Sequence, residues 1–316
     1  MRLGTCEENG VEGIFYLSPL EEMVFAMHVL AEPAHHLARA QWAAGAAHAA
    51  GSALMGQLGA LSGITRQWLV LADLGQAEPW CSLLVPDALA RLAQWPPRRW
   101  AELFSQYGQR PSAAQRTAIL GAMQAFYTAC FEQELPRCLP LLRRILEQDL
   151  ARCREQGLFA YLDGLHARLR TEDGGLVFAK NREYRFPRGS FCRVYITAST
   201  FAGPHLMLGQ AADGICVVRN VQLEKTCAAP RDLVEKLQAL GDGTRLRILR
   251  LAAARPVCTQ ALAQALHLSE GCVSKHLHKL EAAGFLDRRR RGGYVDYCLR
   301  AEEVDFLTYR IFEYLL

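Results

Sequence analysis

Between Leu237 and Leu299 the apolar residues follow a helical period three times and then switch to a strand-like run around a Gly-Gly pair. Few chain paths accommodate that order. The stretch from Thr244 to Ala253 reads as a helix with Leu246, Ile248, Leu249 and Ala252 inward and Arg245, Arg247 and Arg250 at the solvent. A second helix begins near Cys258 and buries Leu262 and Leu266. After the tight His267-Leu268-Ser269 connection, a third repeats Val273, Leu277 and Leu280 at i, i+4 and i+7, with Ser269 placed to cap its free amides and Gly284 to stop it. Phe285 to Arg290 and Tyr294 to Leu299 then flank Gly292-Gly293, the chemistry of a two-residue hairpin.

This is the order of a winged helix-turn-helix, and its charge fits DNA. The outer face of the third helix carries Glu270, Gly271, Ser274, Lys275 and Lys279, small and polar groups that can approach base edges in a major groove. From Arg245 to Arg300 positive residues exceed acids by seven, more than the net +4 of the whole chain. Positive charge is concentrated where phosphates would lie. Ser274 and Lys275 are the expected base or groove contacts, with Gly271 permitting approach and Glu270 accepting from cytosine. Thr244, Arg245, His276, Lys279 and the run Arg288, Arg289, Arg290 and Arg291 are expected to grip phosphate, and Ser269 and Tyr294 complete the DNA-binding set.

LGDGTRLRILRL, from Leu240 to Leu251, together with ALAQALHLSEGCVSKHLHKLEAAGFLDRRRRGGYVDYCL, closely resembles the ArsR family of winged-helix transcription regulators. The resemblance covers roughly the last quarter of the chain. It implies a repressor that pairs as a homodimer through flanking helices, here about Arg231 to Gly241 and Ala301 to Leu316, on an inverted-repeat operator in double-stranded DNA. The residues agree, since Leu233, Leu237 and Leu240 form one stripe and Val304, Leu307, Ile311 and Leu315 another. Many members of the family sense metals, but Cys258-Thr259-Gln260 stands where they carry Cys-x-Cys. No histidine follows His278 either, the final helix offering Glu302, Glu303, Asp305 and Glu313. Neither family metal site is expected, no cofactor is assigned, and Cys258 reads as a small buried apolar residue. Glu270 and Gly271 depart from the usual recognition helix, so the operator sequence does not carry over.

With 316 residues, about half of them apolar, the chain can bury a large core in two or three domains. The reading is mainly α with small β elements (α+β): a helical effector or dimerisation domain over 1–173, a small β-rich segment over 174–228 and the winged-helix domain with its flanking helices over 229–316. The start, MRLGTCEENGVEG, is no secretory signal, and no apolar run reaches the roughly 18 residues of a membrane span. Eleven cysteines without a CxxC point to reduced thiols in the cytoplasm.

In chain order, a short strand over Gly13 to Leu17 precedes a sharp helix start at Ser18-Pro19, with Met23, Val24, Met27 and Leu30 inward. A helical stretch opens at His35-His36. Shorter helices follow over Trp68 to Leu74, Pro86 to Trp95 and Pro97 to Tyr107. Ser112 to Leu135 reads as one long helix with Ile119, Met123, Phe126, Ala129 and Cys130 inward; Leu139 to Leu169 reads as another, or as two joined near Gly157. Beyond Gly174-Gly175 four strand-like runs, Leu176 to Ala179, Phe191 to Ala198, His205 to Leu208 and Ile215 to Val221, are expected to form a small antiparallel sheet. Lys225 to Pro230 reads as a brief connection to the last domain. Ser18-Pro19-Leu20-Glu21, Val29 to Pro33, Ser199-Thr200-Phe201 and Pro204-His205 also resemble a regulator subgroup whose N-terminal domain has no established activity.

The first 225 or so residues are expected to bind an unidentified small-molecule effector or to set the dimer geometry. Trp42, Trp68, Trp80, Phe126 and Tyr127 could line an apolar pocket, although core packing accounts for each. His28, Glu32, His35 and His36 raise a metal- or haem-responsive alternative, against which Pro33 breaks the regular geometry between them. Cys130, Cys138 and Cys153 raise thiol chemistry, with Arg137 and Arg152 as neighbouring cations. A fused enzyme is the competing class. The chain has no G-x-S-x-G elbow, phosphate-binding loop, HExxH or dinucleotide fingerprint, so no catalytic residue is assigned.

Overall fold

The computed structural model describes all residues except 76–78, 181, 204–205, 212, 223–230, 292–293, 302, 305–306, 308–310, 312–313 and 315–316, and leaves out the side chains of Arg291 and Tyr294. The chain divides into two compact units, Met1–Ala179 with Tyr184–Cys227, and Ala228–Leu316 with Lys180–Glu183. The β-rich segment, expected to pack on the helical part, falls in the first unit apart from Lys180–Glu183 and the last residue of its expected range. The expected Lys225 to Pro230 connection lies outside the described residues.

The first unit opens with a hairpin, β1 (Arg2–Glu8) and β2 (Val11–Tyr16), so the strand expected over Gly13 to Leu17 is half of a pair. Ser18 then starts α1 (Pro19–Ala31): its hydroxyl accepts from the Glu21 amide at 3.3 Å, and Pro19 gives up an amide that would have no partner. Eleven of the thirteen residues of α1 are buried, the expected Met23, Val24, Met27 and Leu30 among them, so this is a central helix rather than a surface one.

Around it lie α2 (Ala40–Thr65), kinked where Gly51 takes a φ of +71°, then α3 (Val85–Ala93), α4 (Pro97–Ser105) and α5 (Ala113–Phe126). The single helix expected over Ser112 to Leu135 is interrupted. Its α-helical part ends at Phe126, one π-type turn spans Tyr127–Phe131, and α6 (Leu135–Gln156) starts afresh with Pro136 in its first turn, leaving Ala129 at the surface. Gly157, at φ +92°, separates α6 from α7 (Leu158–Asp163), which settles the second long stretch as two helices.

Six more strands follow: β3 (Leu169–Glu172), β4 (Gly175–Ala179), β5 (Glu183–Phe186), β6 (Arg193–Ser199), β7 (Met207–Ala211) and β8 (Gly214–Asn220). They do not form one antiparallel sheet. β3, β4 and β5 make a small sheet of their own, while β6, β7 and β8 join the N-terminal hairpin in the order β1-β2-β6-β8-β7, with β2–β6 and β6–β8 parallel. The physical reason is that β6 and β8 carry near-continuous buried runs, Ile196 to Ser199 and Gly214 to Val218, covered on both faces as interior parallel strands are. The broad α+β class stands; the antiparallel arrangement does not. No helix among the described residues is long and apolar enough to cross a membrane.

Two carboxylates of α1 itself sit in the core. Glu22 accepts from the amide and hydroxyl of Thr200 at 3.0 and 2.7 Å. Glu21 accepts from the Tyr16 hydroxyl at 3.2 Å, and its second oxygen, which has no hydrogen-bond partner, is closely approached by Gly75. Burial drives the Glu21 carboxyl up to about 8. A folded value above the ordinary one means that the native unit holds a proton the unfolded chain releases. The stabilisation is therefore complete below pH 4.5 and is lost as pH rises towards 8, at about 1.4 kcal/mol per pH unit. Glu21→Gln should flatten this slope in unfolding experiments between pH 5.5 and 7.5. An unchanged slope would show that the carboxyl is already ionised in the fold.

Candidate nucleic-acid interface

The second unit has its own core, centred on Ile248, Leu262, Val273, Leu277, Leu280 and Phe285. Its elements are α8 (Arg231–Leu240), α9 (Gly243–Ala254), β9 (Val257–Cys258), α10 (Thr259–Leu266), α11 (Glu270–Ala282), β10 (Leu286–Arg291) and β11 (Tyr294–Leu299), the strands pairing in the order β10-β11-β9. α10 stops at His267, which takes a left-handed φ of 55°, and the Leu268 amide returns to Ala263. Ser269 begins α11 by accepting from the Cys272 amide at 3.3 Å. The turn that sets α11 against α10 is thus made by the residues between them, as expected.

α11 is two-faced. Val273, Leu277 and Leu280 are fully buried, whereas Glu270, Gly271, Ser274, Lys275 and Lys279 are exposed. An added Cβ at Gly271 would meet nothing within 4 Å, so the surface is open where closest approach to a base edge would be needed. The hydroxyl of Ser269, also exposed, is engaged in its own cap.

Two of the expected phosphate ligands point elsewhere. Arg245, expected at the solvent, is 9% exposed, while Leu246, expected inward, is 52% exposed. The inward face of α9 is Arg245, Ile248, Leu249 and Ala252, one residue out of phase with the expectation at its start. The guanidinium donates through Nε to the Ala239 carbonyl and through Nη2 to the Gln238 carbonyl at 2.8 Å, closing the C-terminal turn of α8, whose last carbonyls have no partners within their own helix. Asp242 accepts from the Arg245 amide at 2.9 Å and so caps α9; this lowers its carboxyl below the ordinary value, helped by the Arg245 charge. His276 is half-buried, with Nδ1 3.9 Å from Asp242 Oδ1: it leans from α11 onto the α9 cap instead of outward. Asp242 is an organising residue absent from the expected set, although an aspartate just before a helix start is a capping residue. Thr244 is partly exposed in the first turn of α9.

The wing pairs Arg288 with Tyr297, Arg289 with Asp296, Arg290 with Val295 and Arg291 with Tyr294. Arg288, Arg289 and Arg290 are exposed; the side chains of Arg291 and Tyr294, and Gly292-Gly293 as a whole, lie outside the described residues. Successive strand residues face opposite ways and directly paired ones face the same way. Arg288 and Arg290 therefore share a face with Leu286, Val295 and Tyr297, while Arg289 shares the other with Asp287 and the buried Asp296. Only the first of these faces is free of acids.

Of the flanking stripes, Leu233 and Leu307 are buried in the unit's core and Leu240 and Ile311 pack against it, but Leu237 and Val304 are 42% and 41% exposed. Leu315 lies outside the described residues. Cys258 is partly buried at the start of α10, and among the described residues no group of three His, Cys, Asp or Glu side chains is placed to hold a metal ion.

The same holds in the first unit. The rings of His28, His35 and His36 do gather, with centroids 4.7–4.8 Å apart, but His28 Nδ1 is bonded to the Gln67 carbonyl at 2.9 Å and Glu32 serves at the end of α1. Burial holds the His28 imidazole down at about 4, hence neutral. Trp68, Trp80 and Phe126 are core residues, and Trp42 packs edge-on against Phe201 at 4.5 Å, so these aromatics fill space. An open cleft of about 660 Å³ lies instead among Asn9, Gly10, Arg188, Gly189, Cys192 and Asp213. Burial raises the thiol pKa of Cys130, Cys138 and Cys153, the reverse of what a reactive thiolate requires.

Residues 242–288 match the family described as bacterial regulatory protein, arsR family, and residues 9–72 match a family of unknown function, DUF5937. Over 66 residues the chain is 41% identical to the arsenic resistance transcriptional regulator ArsR1 of Pseudomonas putida, a span of 21% of this chain and 52% of that protein; the chain thus spans about half the length of this curated relative. Among solved structures, an ArsR-like transcriptional regulator from Rhodococcus sp. RHA1 is 27% identical, covering 27% of this chain and 79% of that one, with a TM-score of 0.25. Reduced HlyU from Vibrio cholerae is 26% identical over 25% of this chain and 83% of its own, with a TM-score of 0.23. The homodimeric winged helix-turn-helix domain of Mb0332 from Mycobacterium bovis is 27% identical over 26% and 78%, with a TM-score of 0.23.

Proposed function

We propose, from the premise that residues 242–288 form an ArsR-family domain, that this protein is a DNA-binding transcriptional regulator, a repressor that pairs as a homodimer on an inverted-repeat operator. The observation that carries the reading is α11: three fully buried leucine and valine side chains on one side and an exposed polar face, opened by Gly271, on the other. Ser274 and Lys275 read bases, with Glu270 at the helix start, and Lys279 and Thr244 grip phosphate. Arg245 and His276 are left out of the DNA-binding set, since both are engaged inside the unit. The exposed Leu237 and Val304 suit a second copy, because apolar side chains left wet on flanking helices gain by mutual burial. The first unit sets when DNA is bound, in answer to an effector not yet identified, and the location is cytoplasmic.

The test is a salt-series titration of the purified protein against DNA from its own upstream region and against an unrelated duplex. A steep salt slope with at least a roughly thousandfold preference for the upstream DNA supports specific regulation. Weak and equal binding to both, with every candidate upstream fragment tried, would remove it.

The wing adds a finer expectation. Its acid-free face carries Arg288 and Arg290, and each phosphate that a basic side chain neutralises adds about 0.9 to the salt slope, so changing both to Ala should lower the slope by about two per protomer. Arg289→Ala, on the face shared with Asp287 and Asp296, should change it much less. Equal slopes for the two variants would show that strand alternation does not govern which arginines reach DNA.

A further inference from the structure

We propose that Cys6 and Cys153 form an oxidant-responsive thiol pair that closes to a disulfide joining β1 to α6. They stand 147 residues apart in sequence, yet the Cys6 thiol donates to the Cys153 carbonyl at 3.3 Å, so β1 places one thiol against the backbone of the other cysteine. Side-chain bonds already tie the neighbouring segments together. Arg154 Nε donates to the Thr5 carbonyl at 3.2 Å, and Glu8 accepts from the Phe159 amide at 3.0 Å. A disulfide needs two Cβ atoms about 4 Å apart, and a thiol that already rests on the backbone of the other cysteine needs only a local adjustment to reach that spacing.

The two sulfurs differ in what reaches them. Cys6 is partly exposed on β1, whereas Cys153 is fully buried in α6. Burial raises the Cys153 thiol, Cys6 and Glu8 add to that, and the Arg154 charge opposes it, so Cys153 waits as a thiol. Cys6 meets the oxidant and Cys153 resolves. With hydrogen peroxide, the Cys6 sulfur attacks one peroxide oxygen and the O–O bond breaks, leaving Cys6 as a sulfenic acid and releasing water. The Cys153 sulfur then attacks Cys6 Sγ; the S–S bond forms, the S–O bond breaks, and the departing hydroxide takes the Cys153 proton as water. Two thiols have lost two electrons and two protons, and one hydrogen peroxide has become two waters. The exposed Cys192, whose thiol rests on the Asp213 carbonyl at 3.3 Å, has no such role and serves as an internal control.

The experiment uses the full chain, reduced, freed of reductant, treated with hydrogen peroxide, alkylated and mapped by mass spectrometry. The expected product is a peptide pair linking Cys6 to Cys153, lighter by two hydrogens and restored by reductant. Cys153→Ser should leave Cys6 as a sulfenic acid that takes up dimedone, and Cys6→Ser should leave Cys153 unoxidised. Full alkylation of both cysteines after Cys192 has oxidised, or Cys6 linked to a different thiol, overturns the proposal. The wild-type map alone decides it, so a variant that fails to fold does not obscure the answer. DNA binding is not read, so the regulatory reading stands or falls separately.

Discussion

Arg245→Ala is expected to destabilise the second unit by about 3 kcal/mol, more than any exposed arginine change there. The guanidinium is nearly covered and serves two carbonyls at the end of α8 together with the Asp242 carboxylate at the start of α9. Removing it strands the buried Ala239 carbonyl, at about 1–3 kcal/mol, costs the part-buried bond to Gln238, and leaves Asp242 without its neighbouring charge. Arg245→Lys should recover only part of the loss, because one ammonium cannot span both carbonyls in the plane that the guanidinium fills. Hydrogen exchange read by mass spectrometry over α9 to α11 is the measurement. Were Arg245 a phosphate ligand, exchange would be within experimental error of wild type and only DNA affinity would fall.

Lys275→Ala is the second large effect, and it should appear in recognition rather than in folding. Lys275 is exposed on the polar side of α11, and a good base contact there is worth about 1–3 kcal/mol, roughly a 5- to 150-fold loss at the cognate site. Affinity for an unrelated duplex should fall far less, and protection from exchange should not change. A uniform loss on every sequence would reassign Lys275 to phosphate. The contrast with Arg245 is informative because both are basic residues on helices of the same unit, yet one is bonded to the protein's own carbonyls and the other is expected to act on a partner.

The winged unit is legible in the sequence because each of its boundaries is enforced locally. Ser269, His267 and Gly284 act on amides and dihedrals within a few residues of themselves, so sequence spacing carries them. The same reasoning misplaces Arg245, since helical period alone cannot tell a long side chain that snorkels to water from one that turns under a neighbouring helix. That choice depends on the free carbonyls of α8, which only the packed unit puts in reach. The five-stranded sheet escapes for a related reason. Its parallel pairs join β2 to β6 across nearly the whole first unit, and nothing in the alternation of β6 alone names a partner so distant. Cys6 and Cys153 share that history, being ordinary residues until β1 and α6 bring them together.

The aromatic residues that fill the first core also divide the molecule by its light. Trp42, Trp68, Trp80, Trp95 and Trp100 are the whole complement, and all five fall in the first unit, three of them in the row that runs from Trp80 through Trp95 to Trp100. The second unit has no indole, and its emission rests on tyrosine. Excitation at the red edge of the indole band therefore records the first unit and is blind to the winged one, so a denaturation curve taken that way can look complete while the second unit goes unread. A single tryptophan placed at Phe285 would light the dark unit, and the two emissions together would show whether the units melt as one.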